Sequence, residues 1–337
     1  MEQRPFVMQF MREKKEGLGE DSDPLSFLSE DSDYAAVGVF DGLGGSGSTL
    51  VQSSYGDKTS AYIASRLVKT TSESYIKNHI HEDNFSLDSA NFKEEILNCI
   101  QDEKAKFTSE KKSLLRSSLI REYPTTLAIS VVKRDGSNYI VDSYWAGDSR
   151  NYLLDESGLI QLSNDDLQIA YDPLENLKND SPISNCVCLD RPFEIKKYTL
   201  TTQTPFLVFS ATDGCFGYLK TPFHFEGLLL NTLLTPEVKD ISDWKERIIQ
   251  EIEKVAGDDI SFSMIGIGYN SFFALKDALK ARKQVINMFI DKYDEAENRL
   301  KDAQKLVTET EGAFAETEKE LWYNYKSSYM RLFKVDS

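Results

Sequence analysis

Val39-Phe40-Asp41-Gly42-Leu43-Gly44-Gly45-Ser46-Gly47 is the stretch on which the reading of this chain turns. An apolar run of strand character, Ala35 to Phe40, ends at an acid, and four of the next six residues are glycine. Glycine lets a backbone turn sharply and pass close to a ligand, so a carboxylate is set beside exposed carbonyl oxygens. Such an all-oxygen corner suits a hard cation, Mg2+ or Mn2+. A plain glycine turn after a strand explains the same residues. So, on its face, does a dinucleotide site, because Gly42-Leu43-Gly44-Gly45-Ser46-Gly47 matches G-x-G-x-x-G. That site needs a second strand ending in an acid roughly 20 residues onward, whereas Thr49 to Lys69 reads as one helical stretch. Asp41 would also lie beside a pyrophosphate, and the absence of G-K-[ST] excludes a nucleotide P-loop.

Other acids stand in comparable places. Glu20-Asp21 occupies a polar turn after the first strand region, and Asp213-Gly214 follows the apolar strand Phe206 to Ala211. Asp258-Asp259 precedes the strand Ser261 to Gly268, and Asp148 lies in Ala146-Gly147-Asp148-Ser149-Arg150. Each alone is an ordinary Asx-turn or helix cap. Together, acids at the ends of several strands suit one shared metal cluster.

The remaining sequence agrees with this chemistry. A length of 337 residues with 40% apolar content supports a substantial core, in one large domain or two smaller ones. A formal charge of -16 argues against sequence-independent attraction to nucleic-acid phosphates. With no signal-peptide pattern and no run of about 20 apolar residues, the expectation is a soluble cytoplasmic protein with no membrane partner. Cys99, Cys186, Cys188 and Cys215 read as reduced thiols, and His79, His81 and His224 offer no zinc spacing.

Strand-like runs are Arg4 to Phe10, Tyr34 to Phe40, Thr125 to Lys133, Asn138 to Ala146, Phe206 to Thr212 and Ser261 to Tyr269. Tight links at Arg134-Asp135-Gly136-Ser137 and Asp155-Glu156-Ser157-Gly158 predict antiparallel hairpins. Residues 49 to 119 read as two helices broken near Glu82 to Asn91. Another helix follows Ser242 as cap, with Ile248, Ile249, Ile252 and Val255 on one face. Asn164 to Pro192, rich in Asn, Asp, Pro and Ser, reads as a mobile flap.

After Tyr269 a helical pattern free of proline runs to about Leu332. Leu279, Ile286, Tyr293, Leu300, Val307, Phe314 and Leu321 recur every seventh residue, and Phe289, Ala296, Ala303, Thr310 and Thr317 fall three later. This is a coiled-coil seam, which implies a helical partner, self-association or a helical hairpin. The expected division is therefore 1–270, catalytic, and 271–337, a helical coiled-coil segment.

Taken in order, the segments from about residue 5 to 269 resemble the metal-dependent protein phosphatase family, type 2C, in its bacterial-like form. Gly19-Glu20-Asp21 resembles its first acidic motif and Val39 to Gly45 its D-G-x-G-G. Pro124-Thr125-Thr126-Leu127 is similar to its small-residue strand start, Gly147-Asp148-Ser149-Arg150 to its G-D-S-R, Asp213-Gly214 to its S-D-G, and Asp258-Asp259-Ile260-Ser261 to its D-N-I-T.

The resemblance implies an α+β fold, a four-layer α-β-β-α sandwich of two antiparallel sheets flanked by helices, here with a long C-terminal helix or coiled coil. It implies a phosphoserine/phosphothreonine protein phosphatase using two, possibly three, Mg2+ or Mn2+ ions. Asp41 would bridge two ions, with Glu20 and the Gly42 carbonyl serving one, Asp213 and Asp258 the other, Asp148 a weaker third, and Asp21 orienting a metal-bound water. Two positions depart from the family. Glu16 stands where an arginine usually binds substrate phosphate, leaving Lys15 or Arg12 as substitutes, and Leu43 replaces a histidine found in many eukaryotic members. These departures, with the heptad segment, motivate an alternative: a catalytically weak relative serving as a coiled-coil-coupled binding module.

Overall fold

The computed structural model describes residues 6–31, 33–107, 120–169, 172–179 and 181–332. The chain divides into two compact units, Met1–Gln284 and Val285–Ser337. The first unit opens with strands β1 (Phe6–Arg12), β2 (Leu25–Leu28), β3 (Tyr34–Val39), β4 (Leu50–Ser53) and β5 (Gly56–Thr59), followed by helices α1 (Ser60–His79) and α2 (Ala90–Lys106). Strands β6 (Leu127–Asp135), β7 (Asn138–Ala146), β8 (Arg150–Asp155) and β9 (Gly158–Gln161) come next, then the single turn α3 (Pro173–Asn176). Strands β10 (Lys196–Thr202) and β11 (Phe206–Ala211) lead to α4 (Asp213–Phe216), α5 (Pro222–Leu233), α6 (Ile241–Glu253) and strand β12 (Ile260–Ile267). Helix α7 (Phe272–Tyr329) follows.

Two five-stranded antiparallel sheets carry the fold, in the orders β1-β12-β11-β8-β9 and β10-β7-β6-β3-β2. Alternation along the strands divides the core into layers. On β3, Ala35 and Val37 face the inter-sheet core with Leu153, Val208 and Ile265. Ala36 faces the other way, toward the layer where Ile63, Val68 and Ile76 of α1 and Phe92 and Ile96 of α2 pack. On the first sheet Tyr152 and Phe209 stack at 5.0 Å and meet Phe225 of α5 at 5.5 and 6.2 Å. The result is the expected four-layer α-β-β-α sandwich.

A buried polar link joins the sheets. The Asn151 side chain, fully buried, accepts from Ser210 Oγ at 2.6 Å and donates to Ser143 Oγ and the Tyr144 carbonyl, both at 2.9 Å. Its amide thus bridges β8 to β7 through the middle of the apolar layer.

Several elements differ from the sequence reading. Residues 50–59 form the hairpin β4–β5, not the start of a helix. Gly56 at φ 84 closes it with Ser53 paired to Gly56, and Thr59 then caps α1 by accepting from Tyr62 N. Residues 108–119 of the predicted helical stretch lie outside the described residues. Helix α6 is capped by Asp240, whose carboxylate accepts from Ser242 N and Asp243 N, rather than by Ser242. Because that helix ends at Glu253, Val255 is exposed instead of continuing its buried face.

The segment expected as a flap is tied down at both ends. Asp166 accepts from Gly147 N and Asn185 Nδ2 and pairs with Lys196, while Gln168 N donates to the Pro182 carbonyl at 2.8 Å. Helix α7 begins near the expected boundary, but Leu275 and Leu279 are buried and the first unit extends to Gln284, so the division falls inside the helix.

Replacing Asn151 with leucine leaves Ser210 and Ser143 without their partner in an apolar layer. A loss of about 2–4 kcal/mol is expected, read as the shift in urea unfolding midpoint. A change below roughly 0.5 kcal/mol would contradict the linking role.

Candidate metal centre

The loops at one edge of the sandwich deliver the acids. Glu20 and Asp21 precede β2, Asp41 follows β3, Asp148 sits in the β7–β8 turn, Asp213 opens α4 after β11, and Asp258 and Asp259 precede β12. They gather round a cavity of about 680 Å3 lined by Glu20, Asp41, Gly42, Asp148, Asp213 and Asp258, among others. The structure thus brings together Glu20, Asp41, Gly42, Asp148, Asp213 and Asp258. Asp21 is only 2% exposed, lies outside the cavity lining and accepts from Thr212 Oγ1 at 3.0 Å.

Each acid is positioned by specific bonds. The Asp41 carbonyl accepts from Thr126 N at 2.8 Å and Thr125 Oγ1 at 2.7 Å, and Asp41 N donates to Thr126 Oγ1 at 3.0 Å. This clamps the end of β3 to the start of β6. The Glu20 carboxylate accepts from Thr59 Oγ1 at 2.5 Å and lies against Gly44, where an added Cβ would stand 1.5 Å from Glu20 Oε2. A side chain at Gly214 would come within 1.8 Å of the Asp259 carbonyl. These two glycines are close-approach requirements, not merely turn formers.

Asp259 was not singled out from sequence as a site residue, yet it organises this edge. Its carboxylate accepts from Lys14 N at 2.7 Å, Glu20 N at 2.6 Å and, more loosely, Asp21 N at 3.4 Å. The available signal was the Asp258-Asp259 dipeptide, since neighbouring residues entering a strand point to opposite sides. Asp259 is only 8% exposed and Asp258 is exposed, and both line the cavity.

The carboxylates repel one another. Burial, then the charges of Asp21, Asp213, Asp148 and Asp258, raises Asp41 well above the usual carboxylate range. Burial followed by the charges of Asp259 and Asp213 does the same to Asp21. Asp213 is pushed up to about 6 by burial and Asp258, and Asp148 to about 8 by burial, Asp213 and Asp165. Burial also raises Glu20 and Asp258. The nearby cations are engaged elsewhere. Arg66 donates to the Glu20 and Tyr62 carbonyls, Lys14 Nζ to the Ala256 carbonyl, and Arg150 forms a two-pronged buried ion pair with Asp165 at 2.8 and 2.6 Å.

This donor set fits a divalent cation. It is all oxygen, it carries excess negative charge, and Asp148 Oδ1 is buried with no hydrogen-bond partner among the described residues. Among those residues no three acids already converge at metal-binding spacing, so an ion would have to draw them inward.

Positive charge lines other parts of the cavity. Lys14, Lys15, Arg121 and Arg191 all contribute to its wall. Arg121, which sequence reading missed, donates to Cys186 Sγ and the Ile183 carbonyl, each at 2.5 Å, bridging the cavity wall to the segment expected as a flap. Nothing local in the sequence marks it, because its partners lie more than 60 residues away. Arg12 ends β1, donates to the Met11 carbonyl and is not in the lining; Glu16 is exposed.

Comparison with solved structures followed the same features. The chain is similar to a bacterial serine phosphatase, with 14% identity, TM-score 0.52, and 79% of this chain and 98% of that chain covered. It is similar to the serine/threonine phosphatase Stp1 from Staphylococcus aureus, with 15% identity, TM-score 0.51, and 79% and 96% covered. A C. elegans sex determining protein matches with 14% identity, TM-score 0.55, and 82% and 67% covered. No family model and no curated protein matches the chain.

Removing one buried charge separates the metal question from activity. Asp213 has a raised folded-state value, so its ionisation costs stability that is intact below about 3.8 and lost as pH rises through about 6. In chelator, Asp213→Asn is expected to melt higher than wild type above that window and to converge with it in acid. In Mn2+ the order should reverse, since only wild type gains a large thermal shift. Equal Mn2+ shifts in both proteins would exclude Asp213 as a ligand. With its two packed sheets and acid-lined edge, this chain has the fold of the type 2C bacterial serine/threonine phosphatases.

Proposed function

We propose that the chain is a Mg2+- or Mn2+-dependent protein phosphatase acting on phosphoserine and phosphothreonine. The observation that carries this reading is the convergence of Glu20, Asp41, Asp148, Asp213 and Asp258 on one cavity within a fold shared with serine/threonine phosphatases. Glu20, Asp41, the Gly42 carbonyl, Asp213 and Asp258 would hold two cations, with Asp148 near a third. Bound there, such ions supply Lewis acidity toward phosphoryl oxygens and a water acidic enough to attack near neutral pH.

The chain's own groups do the positioning. Asp41 is held at its backbone by Thr125 and Thr126, so its carboxylate keeps a fixed direction. Asp21, buried close enough for its charge to raise Asp41 and held by Thr212 Oγ1 at 3.0 Å, would orient a metal-bound water. Lys15, exposed on the cavity wall, and Arg121 on another part of that wall meet the substrate phosphate; Arg12 is too remote from the lining to be preferred. The Arg121 fork is already oriented by its two bonds, which lowers the entropy of gripping an anion.

No helix among the described residues is long and apolar enough to cross a membrane. Together with the acidic balance, this supports action on phosphoproteins in the cytoplasm rather than on nucleic acid or lipid. A second reading, a catalytically weak binding module, is favoured by one observation: Glu16 contributes negative charge near Lys14 and Lys15 where phosphate must enter.

Hydrolysis of an aryl phosphate and of a phosphoserine peptide decides between the two readings. Turnover should need Mn2+ or Mg2+, stop with chelator, and fall by roughly 100-fold or more in Asp41→Asn. Turnover that survives both treatments would sink the phosphatase assignment. Absent turnover in a protein that binds no Mn2+ by calorimetry would select the binding module.

For phosphate recognition, Lys15→Ala is expected to raise KM about threefold to tenfold with kcat nearly unchanged. An unchanged KM would remove Lys15 from the substrate site.

A further inference from the structure

From Val285 to Tyr329 the chain is one uninterrupted helix, and its apolar stripe is bare from Leu300 to Leu321. Leu300, Val307, Phe314 and Leu321 are 58%, 56%, 69% and 64% exposed, although they hold the same heptad position. The alternate seam position carries only small residues over the same span: Ala296, Ala303, Thr310 and Thr317. Gly312 falls on the outer face of the heptad, where it costs no packing.

We infer that a second copy of this chain covers the stripe, in an antiparallel two-helix coiled coil centred near Leu306. The size pattern selects both the occupant and its direction. In a parallel pair like meets like, so Phe314–Phe314 and Val307–Val307 layers would alternate with Ala303–Ala303 and Thr310–Thr310. Stiff helices cannot widen and narrow their separation every half heptad. Antiparallel pairing puts one large and one small side chain in each central layer. Leu300 meets Thr310 of the second copy, Val307 meets Ala303, and Phe314 meets Ala296, at a constant separation.

The flanking positions agree. The two-fold axis places Leu306, itself 63% exposed, against its own symmetry mate. Lys292 then faces Glu320 of the second copy, twice by symmetry. The adverse pairing, Glu297 toward Glu311, is softened because Glu297 is already ion-paired with Lys301 of its own helix at 2.8 Å. A self-complementary pattern of this kind points to a second copy rather than an unrelated helix. The inference rests on the helix alone and stands whether or not the chain is a phosphatase.

The test uses the full chain. Sedimentation velocity at micromolar concentration should give a dimer, and Phe314→Asp, which buries a charge against Ala296, should give a monomer with an unchanged circular dichroism spectrum. A wild-type monomer, or a Phe314→Asp dimer, would overturn the proposal. Direction is read by oxidising Leu300→Cys and Thr310→Cys variants, whose new thiols lie about 15 Å apart along one helix at 1.5 Å per residue. A covalent dimer that forms only when the two variants are mixed, and not in wild type, supports the antiparallel pair. A covalent dimer within either variant alone overturns it.

Discussion

Seven carboxylates crowd one edge of this molecule, and their mutual repulsion is the constraint around which the rest is arranged. Asp213 and Asp148 are pushed up to about 6 and about 8, and burial with neighbouring charge raises Asp41 and Asp21 well above the usual carboxylate range. A fold maintains such a cluster only if the backbone beneath it is fixed by other means. Here it is fixed by threonine and serine hydroxyls, by Asp259 gathering the amides of Lys14 and Glu20, and by two sheets packed so that their strand ends coincide. In the proposed function that electrostatic cost would favour a divalent cation, because such an ion would relieve the repulsion and satisfy the orphaned Asp148 oxygen together.

Positive charge is handled differently. Arg150 is paired with Asp165, and Arg66 and Lys14 donate to backbone carbonyls, so their charge offsets the raised pKa values of the site acids only in part. Lys15 and Arg121 instead stand on the cavity wall. The cavity is therefore lined by carboxylates and by cationic side chains together. In the proposed function this mixed lining would favour a phosphate ester over a neutral substrate.

Much of the acidic site was legible in sequence because its parts are local. An acid directly after an apolar run, followed by glycine, marks a strand end, and strands end just before Asp41 and Asp213, both of which line the cavity. Local rules failed where two patterns compete. Residues 50–59 carry enough apolar character to extend a helix, but Gly56 at a positive φ closes a hairpin first. Ser242 has the chemistry of a cap, yet Asp240 two residues earlier accepts two amides where a hydroxyl takes one. The Asn164 to Pro192 segment looked unanchored because Arg121, Lys196 and Gly147, which hold it, are distant in sequence.

The sequence by itself determined the elements and the chemistry at their ends: the strand runs, the acids that terminate them, and the seven-residue period of the last helix. These depend on residues within a turn or two of each other. Only the tertiary structure decided that Asp259 is buried and gathers backbone amides while Asp258 is exposed, that Asp21 is buried outside the cavity lining, that Arg121 rather than Arg12 lines the cavity, and that Leu300 to Leu321 stay bare. Each of those outcomes is set by which distant strand or helix packs alongside, and packing between residues far apart in the chain leaves no local pattern to read.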